Sequence, residues 1–393
     1  MVPCSAFKTL RLSAFAAVAF LIAVSGCSND SVNAPPTTAS GAGTAGGVMT
    51  ATGAKSPFGV KIALDTLQVN LVSDITSIPA NRVDVNLLNA WGIALTPSGI
   101  FWISANHSSL SLVYDKNGNQ LRPPVNIPTT GSTTGGAPSG AVFNGTTDFV
   151  LPGTGAPAKF IFAGEDGIIS AWNGGSNAII VADQSSSGTV YKGLELGVAD
   201  GHNRLYATDF HNRKIDVYDE TFTLISTKKF KDPWIPKDFG PFNIRNIDGR
   251  LFVTFAKHKP PDNMDDLAGP GNGFVDVFST EGHLIHRFAS KGALNSPWGL
   301  AEYEAGTGSR GEQILIGNFG DGRINVYDTD GHFKGTVKDE NHKPISIGGL
   351  WAITFISDAE TAVTGPQKLY FTAGPNDEND GIFGYLNLAR KRW

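Results

Sequence analysis

Polar side chains that could bind a ligand or a metal ion follow strand-like runs at intervals along this chain of 393 residues. Each run of β-branched and aromatic residues ends in a turn that carries an amide, a carboxylate or an imidazole. Oxygen ligands of this kind suit calcium, and imidazoles suit zinc. The candidates for a ligand or metal face are Asn106, His107, Glu165, Asp166, Asp209, His211, His258, Asn318, Asp321 and Asn376.

The candidates for a calcium site within this set are Glu165, Asp209, Asn318 and Asn376. They come from separate turns, so a bound Ca²⁺ requires the fold to make them converge. The chain has no His-Glu-x-x-His, no EF-hand loop and no Cys-x-x-Cys, so no local metal motif supports the site. Solvated turn residues without any ligand are the alternative, and the cofactor stays open.

A loosely repeated segment indicates how these turns are arranged. It is clearest as Leu88–Ala94 and Leu294–Ala301, and weaker copies bring the number to six. The anchor residues, which lie 48, 53, 50, 56 and 53 positions apart, are Gly92, Gly140, Gly193, Asn243, Gly299 and Ala352. A period near fifty in a β-rich chain predicts a propeller with one four-stranded sheet per repeat. We therefore expect an all-β, six-bladed β-propeller over residues 61–393.

Equal spacings within the repeats predict one hairpin used several times. The aromatic and apolar pairs that lie 12 positions apart are Trp102 and Tyr114, Tyr206 and Tyr218, and Leu315 and Tyr327. The sixth repeat ends after its third strand, while residues 67–73 alternate in strand fashion and have no blade of their own. We expect this early strand to close the ring as the outer strand of the last blade.

The N-terminus predicts export and lipid attachment. Residues 1–26 form a signal peptide whose apolar run, Leu12–Val24, is 13 residues long, too short for a transmembrane helix. Small residues precede Cys27, as in a bacterial lipobox, so Cys27 is the expected lipidation site; a chance cysteine after an ordinary signal is the alternative. Residues 27–60, rich in Ser, Thr, Gly and Pro, predict a flexible tether.

Location and partners follow from the same features. Ser28, where Asp would favour inner-membrane retention, predicts anchoring in the cell envelope at the outer membrane. The expected partners are the membrane, through the N-terminal lipid, and a protein or glycan ligand. A formal net charge of −5 gives no electrostatic footprint for nucleic acid.

The strand pattern resembles a known class of propellers. A first strand of the Gly-Ile-Ala type is followed by a second ending in Ala-Asn or Thr-Asp and a third of the form Ile-x-Val-Tyr-Asp, as in Ile324–Asp328. This order resembles the NHL-repeat propellers, and the Asn-x-Trp-Gly-Ile-Ala opening is similar to a family of secreted bacterial propellers of unassigned function. The resemblance implies the fold, because such propellers include both enzymes and binding scaffolds.

Two further resemblances imply possible sites. NHL-type amidating lyases hold zinc with three histidines from separate blades, for which His107, His211 and His258 are the counterparts, although the paired cysteines of that family are missing. Lactonase-type six-bladed hydrolases hold calcium with residues matching Glu165, Asp209, Asn318 and Asn376 by fold alone.

The sequence supports two hypotheses about function. Because no catalytic signature is present, the first is a lipid-anchored extracytoplasmic propeller that acts as a binding or interaction scaffold for a protein or glycan. The alternative is a metal-dependent hydrolase or lyase, lactonase-like, at the channel mouth.

The insertion Lys257–Gly273 is expected to project from the same face as a lid or partner loop. Trp91, Trp298, Trp351 and Phe242, at the starts of first strands, are expected to pack between blades.

Overall fold

The strands of this protein are seen in a computed structural model. The described residues are 67–225, 229–304, 312–356 and 367–388. They contain no α-helix, and none of their helical segments is long and apolar enough to cross a membrane. Contacts along the chain divide it after residue 57, and every described strand lies in the second unit, Phe58–Trp393.

Six antiparallel sheets form the blades of the propeller, with strands labelled in chain order. Blade 1 comprises β3 (Ala90–Leu95), β4 (Phe101–Ala105), β5 (Leu110–Tyr114) and β6 (Val125–Asn126). Blade 2 comprises β9 (Pro138–Phe143), β10 (Phe160–Gly164), β11 (Ile168–Trp172) and β12 (Ile179–Asp183). Blade 3 comprises β13 (Tyr191–Ala199), β14 (His202–Asp209), β15 (Lys214–Tyr218) and β16 (Leu224–Ile225). Blade 4 comprises β17 (Phe239–Ile247), β18 (Arg250–Lys257), β19 (Gly273–Ser279) and β20 (Leu284–Ser290). Blade 5 comprises β21 (Pro297–Glu304), β22 (Glu312–Asn318), β23 (Ile324–Asp328) and β24 (Phe333–Thr336). Blade 6 comprises β25 (Leu350–Phe355), β26 (Gln367–Ala373), β27 (Ile382–Leu388) and β1 (Gln68–Ser73). The remaining strands are β2 (Arg82–Val83), which pairs with β1, and the hairpin β7 (Pro128–Thr129) and β8 (Ser132–Gly135).

The ring closes between the two ends of the propeller, as the sequence predicts. β1 pairs antiparallel with β27 and so supplies the outer strand of blade 6. Leu71 and Val72 of β1 are buried in the core beside that blade. Joining the chain ends in one sheet removes an edge that would otherwise be open.

The repeated hairpin has the same register in three blades, as the equal spacing predicts. Tyr114 lies opposite Phe101, Tyr218 opposite Leu205 and Tyr327 opposite Ile314. A shift of one residue moves a side chain to the other face of the sheet. In this register the three tyrosines are buried between neighbouring blades.

The inner strands of the six blades line a central channel, where they approach closely. A Cβ atom on Gly92 would lie only 2.2 Å from the carbonyl oxygen of Ser139 in the next blade. Aromatic rings fill part of this space: Trp351 stacks on Trp91 at 3.8 Å and on Phe319 at 3.9 Å between ring centroids. The channel is therefore a packed core over part of its length.

Candidate functional site

Lys192 lies at the centre of the site, near the start of β13 in blade 3. Its side chain is only 2% exposed, so its ammonium group requires partners within the protein. Nζ forms an ion pair with Glu165 Oε1 and lies 3.4 Å from Asp265 Oδ1. Burial alone would lower the pKa of Lys192, but the attraction of the surrounding carboxylates, Glu165 foremost, outweighs it and raises the pKa. Lys192 is therefore a buried cation at neutral pH.

Glu165 reaches Lys192 from blade 2, in the turn that joins β10 to β11. Its other oxygen, Oε2, accepts a hydrogen bond of 2.9 Å from Asn106 Nδ2. Asn106 follows β4 in blade 1, and its Nδ2 also donates to the carbonyl oxygen of Pro138 at 3.2 Å. The Glu165 carboxylate is thus held between side chains of blades 1 and 3.

The insertion in blade 4 supplies two more carboxylates. Its base is closed by a bridge between His258 and Asp266, and the backbone N–H of Lys259 donates to the carbonyl oxygen of Asp265 at 2.8 Å. Burial raises the pKa of Asp266, although nearby Lys192 opposes the shift. The loop predicted as a lid or partner loop therefore carries Asp265 and Asp266 to the vicinity of Lys192.

Glu378 comes from the loop between β26 and β27 in blade 6. Its Oε2 accepts a hydrogen bond of 2.6 Å from Asn89 Nδ2, and Asn89 Oδ1 accepts one of 2.8 Å from Trp351 Nε1. The indole N–H therefore orients the Asn89 amide so that its NH₂ group points to Glu378. Glu378 is the last of three consecutive residues with positive φ, at 66°. Such a backbone is uncommon for residues other than glycine and indicates a tightly determined loop.

The environment of Glu378 gives it a proton affinity suited to neutral pH. Burial is the main cause, and the negative charges of Glu165 and Asp265 add to it, while Lys192 opposes it. Together they raise the pKa of Glu378 to about 7. Glu378 therefore gains and loses its proton in the range where an acid catalyst has to operate.

We refer to Glu165, Lys192, Asp265, Asp266 and Glu378 as the mouth cluster. Four different blades supply these five residues, and four carboxylates surround one ammonium group. Perturbed ionisable groups that converge in this way mark a candidate functional site. The cluster can donate and accept protons and can hydrogen-bond the hydroxyl or amino groups of a ligand.

The floor of the cluster is a ring of inner-strand residues, one from each blade. Each residue directly precedes a repeat anchor, and the set is Trp91, Ser139, Lys192, Phe242, Trp298 and Trp351. Lys192 thus occupies a position that is aromatic in four of the six blades, and its Nζ lies 5.1 Å from the centre of the Trp91 ring. The four aromatic side chains are buried and pack on one another. They are core residues, as expected, and do not form an exposed surface for stacking a ligand.

The structure brings together some of the predicted residues and adds others. Asn106 and Glu165 belong to the site. Sequence reasoning missed Lys192 and Glu378, which stand beside recognised features: Lys192 is the charged member of the ring before the anchors, and Glu378 follows the predicted Asn376 turn by two positions. A lysine where other repeats carry an aromatic residue is the signal that could have revealed the site.

The four proposed calcium ligands do not form one group in the structure. The Asp209 carboxylate accepts a hydrogen bond from Thr189 Oγ1 at 3.1 Å and lies 3.1 Å from Lys214 Nζ, within blade 3. Asn318 Nδ2 donates to Asp321 Oδ1 at 3.0 Å in its own turn, and Asn376 donates to Asp380 in blade 6. No contact in the described ranges joins any of them to Glu165. Asp209, Asp321 and Asn376 instead stabilise turns of their own blades. Asn318 also joins its turn to the connection between blades 4 and 5, because its Nδ2 donates to the carbonyl oxygen of Ala293 at 2.8 Å.

In the part of the chain that the structure describes, the three histidines and Asp166 do not form a group of possible metal ligands, although His211 is a near neighbour of His258. His107 is exposed, whereas His258 is buried, its Nε2 2.8 Å from the carbonyl oxygen of Phe210, and burial lowers its pKa. His211 is partly buried, and Asp166, whose pKa burial raises, neighbours Thr129 rather than Lys192. Among the described residues, one group of three possible metal ligands lies close together, and it comprises Asp328, Asp330 and His332. Lys334 Nζ already lies 2.6 Å from Asp328 in that exposed turn.

The fold and the closed ring define the protein as a six-bladed β-propeller. It belongs to the same family as uncharacterized protein L690 of Acanthamoeba polyphaga mimivirus, to which it is 31% identical over 344 residues, or 84% of this chain and 88% of the viral protein. Uncharacterized protein R648 of the same virus is 29% identical over 84% of this chain and 82% of its own length. No family model matches the chain.

Solved structures resemble the chain in fold. The α-L-arabinofuranosidase of Fusarium graminearum complexed with arabinobiose has a TM-score of 0.51 and 12% identity, covering 82% of this chain and 98% of its own. The α-L-arabinanase of Penicillium chrysogenum, also complexed with arabinobiose, has a TM-score of 0.51 and 11% identity over the same shares. At these identities the likeness concerns the fold alone.

Proposed function

We propose that this protein is a lipid-anchored propeller of the cell envelope that binds a glycan at the mouth cluster and hydrolyses it by acid–base catalysis. The observation that carries this proposal is the convergence of carboxylates from three blades on the buried ammonium group of Lys192. Packing alone does not require charge in the ring before the anchors, since aromatic residues occupy the same position in four blades.

Two carboxyl groups in different environments suit glycoside hydrolysis. Glu378, with a pKa of about 7, can hold a proton at neutral pH and give it to the leaving oxygen as the glycosidic bond breaks. Glu165, paired with Lys192, is the second carboxylate: it accepts a proton from the water that attacks the sugar carbon as the glycosidic bond breaks, and its charge stabilises the cationic, sugar-like transition state. Asn89 is placed to orient Glu378, and Asn106 to orient Glu165.

The glycan is the ligand class that this chemistry favours. The exposed carboxylate of Asp265 and the partly exposed carboxylates of Glu165 and Glu378 can accept hydrogen bonds from several hydroxyl groups at once. The solved arabinanase and arabinofuranosidase propellers are complexed with arabinobiose, so arabinose-containing oligosaccharides are the first ligands to test.

The envelope location rests on the sequence of the N-terminus. Cys27→Ser should abolish lipid labelling and release the protein from the membrane fraction. A Cys27→Ser protein that still fractionates with membranes and migrates unchanged would contradict the lipid anchor, but would leave the proposed glycan site unaffected.

The glycan proposal is tested by binding and hydrolysis with the purified protein. Isothermal titration with arabino-oligosaccharides and a wider oligosaccharide panel measures binding, and reducing-end release measures hydrolysis. Glu378→Gln and Glu165→Gln should each lower kcat by about a hundredfold or more. Glu340→Gln, in an exposed turn outside the cluster, is the matched control and should have wild-type activity.

The outcomes separate the possible functions. Binding without hydrolysis, lost in Glu165→Gln, would leave a glycan-binding scaffold. Activity that disappears in chelator and returns with millimolar Ca²⁺ would favour the metal-dependent alternative. If the protein neither binds nor hydrolyses any glycan in the panel, the proposal is refuted.

A further inference from the structure

Trp234 is an aromatic residue whose side chain is almost fully exposed to solvent. Its side chain is 82% exposed, more than any other large apolar side chain in the described ranges. Tryptophan combines a large apolar ring with one N–H donor, and it is enriched at interfaces where one end is apolar and the other wet. An exposed tryptophan on a well-packed segment therefore indicates a contact surface.

The segment that carries Trp234 is firmly held to blade 4. Phe230 is buried, its backbone N–H donates to the carbonyl oxygen of Gly282 at 2.9 Å, and its ring packs on Tyr206. Two residues further on, Asp232 Oδ1 accepts a hydrogen bond of 2.7 Å from the backbone N–H of Trp234. The exposure of the indole is thus a consequence of how the backbone is fixed.

A buried charge network stabilises this presentation. The Asp232 side chain is 2% exposed and forms an ion pair with Arg287, which also pairs with the fully buried Asp276. Burial, opposed by Arg287 and reinforced by Asp232, raises the pKa of Asp276 to about 7. Because Arg287 neutralises Asp232, the exposed charge near Trp234 comes from other residues.

Lysines predominate among the exposed charged residues of this segment. Lys229, Lys231 and Lys237 flank Trp234 and are all exposed. The neighbouring Asp238 lies 3.5 Å from Lys257 Nζ, which offsets its charge. This local excess of lysine contrasts with the formal net charge of −5 of the whole chain. We refer to Lys229, Lys231, Trp234 and Lys237 as the rim tip.

We infer that the rim tip docks the propeller on an anionic lipid bilayer, with the Trp234 indole at headgroup level and the lysines on the lipid charges. Tryptophan prefers the membrane–water interface, and lysines near an anionic surface are attracted to it. The inference is independent of the glycan site and of Cys27.

Vesicle binding of the propeller unit tests the inference without the N-terminal segment. A chain beginning at Phe58 retains every described strand and the ring closure, and a cooperative thermal melt verifies its fold. Its partitioning is measured by co-sedimentation with phosphatidylcholine vesicles, with or without a quarter of phosphatidylglycerol. We expect binding to the anionic vesicles only, weakened at high salt.

Variants locate the contact. Trp234→Ala should weaken partitioning about tenfold or more, and each of Lys231→Gln and Lys237→Gln about fivefold. Val85→Ala, at a side chain that is 70% exposed, and Lys343→Gln, at another exposed turn, are the matched controls and should bind as wild type.

Three results would overturn the inference. One is equal binding to neutral and anionic vesicles, the second is no vesicle binding, and the third is anionic binding that Trp234→Ala leaves unchanged. Concentration-dependent self-association that Trp234→Ala abolishes, without vesicle binding, would instead assign the rim tip to a contact between protein molecules.

Discussion

Replacing Glu378 by Gln should stabilise the protein at alkaline pH while removing its proposed catalytic acid. The pKa of Glu378 is about 7 in the fold, against an ordinary value of 4.5. Glutamine has nearly the same shape, and its carbonyl oxygen can still accept the hydrogen bond from Asn89 Nδ2. The substitution therefore removes mainly the charge.

The size and sign of the effect follow from proton linkage. Between the two pKa values the folded protein holds a proton that the unfolded chain has released, so the free energy of unfolding falls as pH rises through this range. The 2.5-unit difference between 4.5 and about 7 corresponds to a cost of about 3 kcal/mol, most of which appears between about pH 5 and about pH 8. Glu378→Gln does not carry this cost, so the difference in the free energy of unfolding between the variant and wild type should increase in favour of the variant from about pH 5 to about pH 8.

Urea denaturation of both proteins at several pH values measures the advantage. Glu340→Gln, at an exposed turn, controls for the loss of one negative charge and should follow wild type throughout. A difference between Glu378→Gln and wild type that does not change with pH would refute the assignment of the raised pKa. A variant less stable than wild type at about pH 8 would show that the carboxylate contributes more to packing than the burial argument allows.

Other parts of the structure give equally definite expectations. Lys192→Met should lower the free energy of unfolding by about 3 kcal/mol at neutral pH, because it leaves the mouth carboxylates without their cation; a denaturation midpoint equal to that of wild type would contradict the buried ion pair. Gly92→Ala should lower the free energy of unfolding by about 3 kcal/mol in the same assay, because its Cβ would lie 2.2 Å from Ser139 O. The control Gly174→Ala, with no atom near its Cβ, should leave the stability unchanged. Equal losses of stability in the two variants would contradict the close approach of the inner strands at Gly92. A chain starting at Asn81 lacks β1 and should be insoluble or lose cooperative melting, whereas one starting at Lys55 should melt like wild type; identical melts would refute ring closure by β1.

The fold could be predicted from the sequence because its signals are local and repeated. Each anchor glycine stands where two inner strands approach, so the repeat recurs with the blade. The early strand at residues 67–73 was predictable because the sixth repeat lacks an outer strand.

The candidate site was predicted less completely for a physical reason. Turn residues that bind a ligand and turn residues that hold their own turn have the same chemistry, as Asp209 with its contacts inside blade 3 illustrates. Which of them reach the channel depends on loop paths that no local spacing encodes. Glu378 illustrates the point: three consecutive residues of positive φ direct its side chain to Asn89, and the sequence does not encode that turn in a recognisable way.

Lys192 shows how a single departure from the repeat identifies a site. At its position the fold needs only a group that fills the space between inner strands, which Trp91, Trp298 and Trp351 do with aromatic rings. A buried lysine there costs desolvation energy unless carboxylates surround it, and an apolar residue of similar size would avoid that cost. The charged arrangement brings together groups from four blades, and burial, reinforced by the charge of Glu165, raises the pKa of Glu378 to about 7, which disfavours folding at neutral pH. An arrangement that reduces stability while concentrating acid and base groups is what a site for chemistry requires, and it is difficult to account for by packing alone.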